Sequence, residues 1–470
     1  RGASLCSPSD GADTVYRRLM ASDQNPSGII ALALSAGHSI AGSGTLSAFL
    51  ESCLSNDFSR RSEENLALQL LQQGADPFGL SPLLQSPPLL LAVRLGWHRL
   101  SDVLLECGVD ANATDASGLS ALHVAAQPGR SEWLKPLIAA GGNPGQRALS
   151  GQTPLGYALL SNSVEAAAWL SWPDWPLPCR RLRAFDLPGA VLHKDRVAVD
   201  KLLALGLDLN ALDRNGSTAL IHACGQGDVE TVERLLAHGA DTGVSAASGA
   251  TALWAALSQG HTPILRILLA QGADINQTVA GYPPLNLACA SGNAEAVALL
   301  LENGADVAAT DAQGQSALHA AAMFLASGNA RIESVVLVDS LMRAGAALEA
   351  PDKYGQLPMH LLCGAGLQKN QTLNQDIVLP ALDRLLQVAP EIDALDARAF
   401  TALHHAAARG YASLCQRLLR AGAQRSLRDN LGRSAFDFAV MGGFSETADL
   451  LQEKPERINT ASLLIKKDQV

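Results

Sequence analysis

Residues 216–248 read GSTALIHACGQGDVETVERLLAHGADTGVSAAS, and this stretch contains the features that decide the fold. Thr218 is a helix-capping residue type and precedes a short run of small apolar residues. Further on, residues 229–236 (VETVERLL) place apolar side chains at helical spacing. Gly239 then ends that helix, because glycine adopts the left-handed turn cheaply. The stretch therefore predicts two short helices followed by an extended loop that begins at Asp241.

The same stretch recurs along most of the chain. Its opening phrase starts at Gly118, Gly151, Gly216, Gly249, Gly281, Gly314, Gly355, Ala399 and Gly432. The spacings are 33, 65, 33, 32, 33, 41, 44 and 33 residues, and the 65 contains a degenerate copy that starts near Arg183. We count about twelve units, which open near residues 51, 85, 118, 151, 183, 216, 249, 281, 314, 355, 399 and 432. Because no unit can bury its own faces, the units must stack.

This repeat resembles the ankyrin-repeat family over roughly residues 50 to 460. The resemblance implies an all-α solenoid with projecting hairpin loops. We expect N-terminal capping helices in residues 1–50 (at 29–34 and 46–54), the repeat array in 51–452, and a C-terminal cap or tail in 453–470. The array departs from the regular pattern near 171–190 and carries insertions near 325–334 and 364–376.

Composition and charge exclude several classes of protein. Apolar residues make up 48% and charged residues 17%, so a disordered polymer is excluded. The net charge of −10 argues against nucleic-acid binding, and no apolar run reaches the roughly 18 residues of a membrane helix. We therefore expect no nucleic-acid partner and no membrane contact within this chain. The chain starts at Arg1, without an initiator Met or a signal pattern, so we expect a fragment or a processed form.

The eight cysteines are far apart and form neither a C-x-x-C pair nor a Cys/His cluster at metal-ligand spacing. This arrangement predicts no disulfide scaffold and no metal site, and no cofactor motif is present. We expect a monomer that folds without metal, cofactor or disulfide. A reducing, cytoplasm-like compartment is favoured.

Catalysis has no supporting motif, and the candidate side chains repeat with the units. The sixth place of the opening phrase, directly after the fixed apolar residue, holds His123, His319, His360 and His404. The family resemblance implies that these imidazoles bond to the backbone of a neighbouring loop. Cys224, Cys289 and Cys363 share another slot, where cysteine replaces alanine in the core. His360 and Cys363 lie one helical turn apart, but nothing supplies the third group that a catalytic dyad needs.

The sequence gives more support for partner binding than for catalysis. In ankyrin proteins the partner usually lies along the concave side, against hairpin tips and the exposed end of the first helix. In the middle of the array these positions hold Arg214, Asn215, Ser217 and Gln226. In the later repeats they hold the residues that we predict to bind the partner, which are Tyr282, Met323, Phe324, Lys353, Tyr354, Arg398, Phe400 and Met441. We expect Tyr282, Phe324, Tyr354 and Phe400 to occupy corresponding exposed slots and to line one strip of roughly 30 Å. The alternative is that the two insertions fold back and cover these side chains.

Two clusters of basic residues have competing interpretations. Residues 398–433 contain seven arginines and one acid, which fits either a surface for an acidic or phosphate group or arginines paired with the tail residues Glu453 and Glu456. Arg180, Arg181 and Arg183 lie near Trp172 and Trp175 in sequence. That segment could form a cation–π or anion site, but we favour tryptophans that fill a gap in the irregular unit.

Two classes of function remain open. The first is a non-catalytic interaction module (a scaffold, adaptor or inhibitor) that binds one protein on its concave face. The second is the substrate-recruiting or soluble portion of a larger enzyme or membrane-anchored protein whose N-terminal part is absent from this chain.

Overall fold

The computed structural model describes residues 28, 30, 44–55, 61–128, 130–172, 174–328, 330–367, 371–388 and 391–452. These residues contain 24 α-helices and no β-strand, with only isolated bridges such as Thr114 to Ser120. The predicted all-α class is confirmed. No helix in the described ranges has the length and the apolar composition that crossing a bilayer requires.

The chain forms two compact units, Arg1–Ala211 and Leu212–Val470. The described helices of the first unit form five pairs. They are α1 (Thr45–Ser55), α2 (Arg61–Gln72), α3 (Pro88–Leu95), α4 (His98–Glu106), α5 (Ala121–Ala125), α6 (Leu134–Ala139), α7 (Pro154–Leu160), α8 (Val164–Leu170), α9 (Asp186–Leu192) and α10 (Arg196–Ala204). A 3₁₀ turn, Ser131–Trp133, precedes α6.

The second unit has seven helix pairs in its described part. They are α11 (Ala219–Gln226), α12 (Val229–Ala237), α13 (Ala252–Ser258), α14 (Thr262–Ala270), α15 (Pro284–Ala290), α16 (Ala294–Glu302), α17 (Ala317–Ala326), α18 (Val336–Arg343), α19 (Pro358–Leu362), α20 (Gln375–Gln387), α21 (Ala402–Ala408), α22 (Ala412–Arg420), α23 (Ala435–Met441) and α24 (Ser445–Leu451). A 3₁₀ turn, Ile332–Val335, precedes α18. The first helix of each pair packs on the first helix of the next pair, so the α-solenoid arrangement holds within this unit.

The repeat at residues 216–248 shows why this sequence folds in this way. The Thr218 hydroxyl accepts from the Ile221 N–H at 3.2 Å and caps α11. Leu220 is 1% exposed and packs in the layer between neighbouring pairs. Gly216 has a φ of +71°, and a Cβ added there would lie 2.3 Å from the Ala247 Cβ. The next loop therefore approaches closely at this position, which requires glycine.

The structure can be compared with the predictions for the N-terminal helices, the insertion near 364–376 and the two ends of the array. The helix predicted at 46–54 is Thr45–Ser55, and it pairs with α2 and packs on α3 as later first helices do. The extra length near 364–376 leads into α20, which with 13 residues is the longest helix in the described part of the second unit. The expected helix at 29–34 lies outside the described residues except for Ile30, and the cap at 453–470 lies wholly outside them. The domain limits at 50 and 453 stay predictions.

Candidate partner-binding surface

Each hairpin loop of the last repeats is held by its own aspartate. In the loop before α19, the Asp352 carboxylate accepts from the Tyr354 N–H and the Gln356 N–H, both at 2.8 Å. Asp396 does the same before α21, where it accepts from the N–H groups of Arg398 at 2.8 Å and Phe400 at 2.9 Å. These hydrogen bonds and the His405 side chain outweigh the effect of burial and lower the pKa of Asp396 to about 2. The loop tips are therefore fixed by buried carboxylates that accept hydrogen bonds from their own loops.

The tips are also joined to one another through their backbones. The Lys353 N–H donates to the Gln313 carbonyl at 2.9 Å, and the Ala397 N–H donates to the Tyr354 carbonyl at 2.9 Å. The Asn430 N–H continues the series by donating to the Arg398 carbonyl at 3.3 Å. Successive hairpins therefore form one row, in which the side chains at the tips are neighbours across units.

A cavity of about 590 Å³ lies behind this row, and we call it the tip cavity. It extends over three consecutive repeats. Its lining consists of Gln315, Met323, Ala326, Ser327, Tyr354, Gln356, Leu361, Gly364, Ala365, Gly366, Leu367, Gln371, Asp396, Ala397, Arg398, Phe400, His405, Ala408 and Arg409. The buried members, such as Leu361 and Ala326, are mostly apolar or small, whereas Tyr354 is 58% and Met323 46% exposed. The cavity thus has an apolar floor and large side chains at its mouth.

One wall of the tip cavity is held by aromatic rings that pack against one another at tilted angles. The Phe400 ring lies 4.9 Å from the Phe438 ring of the next repeat and 5.2 Å from the His405 ring, measured between centroids. His405 Nε2 in turn lies 3.0 Å from the buried Asp396 Oδ2. Since these contacts fix Phe400 on several sides, this wall is formed before any ligand arrives.

The opposite wall comes from the insertion after α19. Residues 364–367 and Gln371 line the tip cavity, and the Arg409 guanidinium donates to the Leu367 carbonyl and to the Gln371 carbonyl. Arg409 thereby ties this part of the insertion to α21 and its following turn. The described part of the insertion contributes a wall but leaves Tyr354 and Met323 exposed. Met323 and Tyr354 are thus accessible beside the described part of this insertion, and their role in partner binding stays a prediction.

Comparison with known proteins identifies the family. A family model described as ankyrin repeats (3 copies) matches residues 89–173, 188–279 and 373–462. A second model, ankyrin repeats (many copies), matches residues 288–332. The chain belongs to the ankyrin-repeat family. Ankyrin repeats generally mediate protein–protein interactions, and the family is typically non-catalytic.

Several ankyrin-repeat proteins are similar over part of this chain. Inversin of Gallus gallus is 37% identical over 100 residues, which are 21% of this chain and 8% of that protein. Ankyrin repeat and SOCS box protein 6 of Mus musculus is 31% identical over 180 residues, 37% of this chain and 35% of that protein. The probable 26S proteasome regulatory subunit p28 of Saccharomyces cerevisiae is 29% identical over 164 residues, 34% of this chain and 64% of that protein. Each match spans less than two thirds of the relative.

The structure brings four of the eight predicted ankyrin surface residues together. These are Met323, Tyr354, Arg398 and Phe400, which all line the tip cavity. Lys353 is exposed in the row of tips beside Tyr354. The other three, Tyr282, Phe324 and Met441, do not line the cavity.

The expectation of four rings in corresponding exposed slots is wrong. Tyr282 is 42% exposed next to its loop glycine, and Tyr354 lies at a hairpin tip. Phe324 instead lies on α17, where its side chain is half-buried. The Phe324 ring packs over Gly292, where an added Cβ would lie 2.1 Å from the ring. Phe400 is half-buried because Phe438 covers one of its faces. The rings therefore do not form a single exposed strip.

Sequence reasoning missed the deeper lining of the tip cavity. Asp396 and His405 are the clearest case, because the same pair recurs as Asp213 and His222, with His222 Nε2 2.8 Å from Asp213 Oδ2. An aspartate in the loop and a histidine in the following helix, at equal spacing in two repeats, was a signal in the sequence. Leu367 and Gln371 had no such signal, since they lie in an insertion without a repeat pattern.

The basic residues are mostly engaged locally. Arg433 pairs with Asp429 at 2.7 Å, and Arg417 lies 3.4 Å from Asp383. The proposed tail partners Glu453 and Glu456 lie outside the described residues.

The interpretation of residues 171–183 changes in one respect. Arg180 pairs with Asp186 at 2.6 Å, and its guanidinium lies over the Phe185 ring. The cation over Trp172 is Lys201, at 4.6 Å from the ring centroid. Trp175 is 6% exposed, in agreement with a tryptophan that fills space in this irregular repeat.

Three of the four repeated histidines, His123, His319 and His360, bond to the backbone of a neighbouring loop as the resemblance implies. His360 Nδ1 accepts from the Leu357 N–H at 2.9 Å, and its Nε2 donates to the Ala394 carbonyl of the next loop at 3.0 Å. His123 and His319 make equivalent contacts. Burial raises the pKa of the neighbouring Cys363 thiol. Both ring nitrogens of His360 are thus bonded to the backbone, which leaves neither nitrogen free to take a proton from the Cys363 thiol in this structure.

Proposed function

We propose that this chain is a non-catalytic interaction module that binds a protein partner in the tip cavity. The observation that carries the proposal is the convergence of Met323, Tyr354, Arg398 and Phe400 on one open cavity that extends over three repeats. Large exposed side chains around an apolar depression are typical of the few residues that dominate binding energy. The general use of ankyrin repeats in protein–protein interaction agrees with this assignment.

The preformed walls favour binding further. Phe400 is already fixed by Phe438 and His405, and the hairpin tips are fixed by buried aspartates. A partner that enters the cavity therefore has little protein to order, which lowers the entropic cost of association. The same rigidity suits a scaffold, an adaptor or an inhibitor, and the choice among these depends on the partner.

A second candidate is a recruiting portion of a larger protein. The relative from Mus musculus combines ankyrin repeats with a SOCS box, as its name states, and the match covers only 35% of it. In that arrangement the repeats would hold a substrate while another segment acts on it. The tip cavity would serve the same purpose in both candidates.

The test compares two tyrosines in affinity capture followed by quantitative mass spectrometry. Tyr354→Ala should remove the captured partner, because Tyr354 is at the mouth of the tip cavity. Tyr282→Ala is the matched control, since Tyr282 is also an exposed loop tyrosine but lies outside the cavity lining. Both variants should melt within a few degrees of the wild type. Equal capture by the wild type and both variants would contradict the proposal.

A further inference from the structure

We infer that the occupant of the tip cavity is an extended acidic peptide segment that inserts one large apolar side chain between its acidic residues. This inference rests on the function proposed above and specifies the chemistry of the partner. It follows from the charge at the rim of the cavity, from the lining of its floor and from the spacing of the hairpin tips.

The exposed charge at the row of tips is positive. Lys353 and Arg398 are exposed at adjacent tips, and neither forms an ion pair with a carboxylate in the part of the chain that the structure describes. The two aspartates that hold these tips are buried: Asp352 is 6% and Asp396 7% exposed, and both carboxylates accept hydrogen bonds from their own loops. A ligand at these two tips therefore meets two cations, since the exposed acids of the same loops, Glu349 and Glu391, precede the tips by four and seven residues in the sequence.

This local charge contrasts with the whole chain, whose net charge is −10. A long polyanion such as a nucleic acid would be repelled by the rest of the surface, whereas a short acidic segment would contact only the basic rim. Arg398 also has the forked donor geometry that binds a carboxylate through two hydrogen bonds. The charge pattern thus favours a short acidic peptide.

The floor of the tip cavity selects the apolar part of that peptide. Leu361, Ala326 and Ala365 are at most 4% exposed and form the apolar floor of the cavity. Met323 and Phe400 also line the cavity. A volume of about 590 Å³ accommodates one large side chain such as leucine, methionine or phenylalanine together with some backbone. Burial of that side chain supplies affinity, and the rim cations supply selectivity.

The length of the peptide follows from the spacing of the repeats. Packed helices lie about 10 Å apart, so three repeats extend over roughly 20 Å. An extended chain rises about 3.3 Å per residue, so about six residues cross the tip cavity. An acidic residue on each side of the apolar anchor would then lie near Lys353 and Arg398.

The experiment selects ligands from a displayed library of random twelve-residue peptides with the full chain as bait. The wild type should enrich peptides in which aspartate or glutamate flanks one large apolar residue. A synthetic peptide from this pool should bind the Lys353→Glu/Arg398→Glu variant about tenfold or more weakly. The difference should shrink as sodium chloride rises from about 0.05 M to about 0.5 M.

Arg420→Glu/Arg425→Glu is the control, because it makes the same change in net charge at two exposed arginines that do not line the cavity. It should bind the peptide as the wild type does. If the enriched peptides are neutral or basic and still lose binding in Tyr354→Ala, the acidic partner is wrong and the proposed function stands. If no enriched peptide depends on Tyr354, both the inference and the proposed function are overturned. Equal loss of binding in the two double variants would also overturn the inference.

Discussion

At the scale of single residues, exposure and packing separate the two aromatic side chains at the mouth of the tip cavity. Tyr354 is 58% exposed, whereas Phe400 packs on Phe438 and His405. Tyr354→Ala should therefore cost under about 0.5 kcal/mol of unfolding free energy, because it removes little buried contact. Phe400→Ala should cost roughly 2 kcal/mol, below the range for a fully buried phenylalanine. Urea unfolding of the two variants measures both values, and equal costs would contradict the packing described here.

His360 gives a second prediction at this scale. Burial, and then the neighbouring His405, lower its pKa from 6.5 to about 4. Folded His360 thus binds fewer protons than unfolded His360, so stability is full above pH 6.5 and falls as the pH drops toward 4. Asn286 holds the same slot in another repeat and donates to the Gln315 carbonyl at 2.8 Å.

His360→Asn should therefore keep a bond to the next loop while removing this titration, and the melting temperature should fall less between pH 7 and about pH 4.5. His123, His319 and His404 also have pKa values lowered by burial, so the pH dependence should shrink without disappearing. His238→Asn, at an exposed position, should leave the wild-type pH dependence unchanged. If the melting temperature of His360→Asn falls with decreasing pH as steeply as that of the wild type, this imidazole does not control stability in acid.

At the scale of elements, the repeat phrase predicts helices well because its signals are local. Thr218 caps α11 and glycines end or connect helices, and these properties depend on a few adjacent residues. The tip cavity could be predicted only in part. Its mouth uses positions fixed by the repeat, such as Tyr354 and Arg398, but its wall includes Leu367 and Gln371. Those residues are held by Arg409 from the next repeat, a contact that no periodicity encodes.

Two glycines of one repeat test how closely the hairpin loops approach. Gly216 and Gly239 both have positive φ, +71° and +91°, so alanine is strained at either position by about 1 kcal/mol. Only Gly216 is also crowded, since an added Cβ would lie 2.3 Å from the Ala247 Cβ, while Gly239 has no atom within 4 Å. Gly216→Ala should thus destabilise the protein more than Gly239→Ala, by about 1 kcal/mol or more. Similar losses in urea unfolding would mean that the next loop moves aside freely.

At the scale of the whole molecule, stability should come from burial between repeats and not from crosslinks. The first helices of successive pairs stack on one another over the described pairs of the second unit and over the first four pairs of the first unit, and the layer between them is mostly leucine and alanine. Among the described residues every cysteine is a free thiol, and no group of three or more His, Cys, Asp or Glu side chains is placed to hold a metal ion. A repeat protein of this kind depends on contacts between neighbouring units.

Treatment with a chelator and a reductant together should therefore leave the thermal unfolding curve unchanged, as monitored by far-UV circular dichroism, whose signal reports the helical content. Leu220→Ala is the positive control, because loss of a side chain that is 1% exposed creates a cavity and should cost about 2–5 kcal/mol. The control should lower the transition by several degrees under the same conditions. If the chelator or the reductant alone shifts the curve by a similar amount, a metal or a disulfide contributes to the fold, and burial between ankyrin repeats is then insufficient to account for its stability.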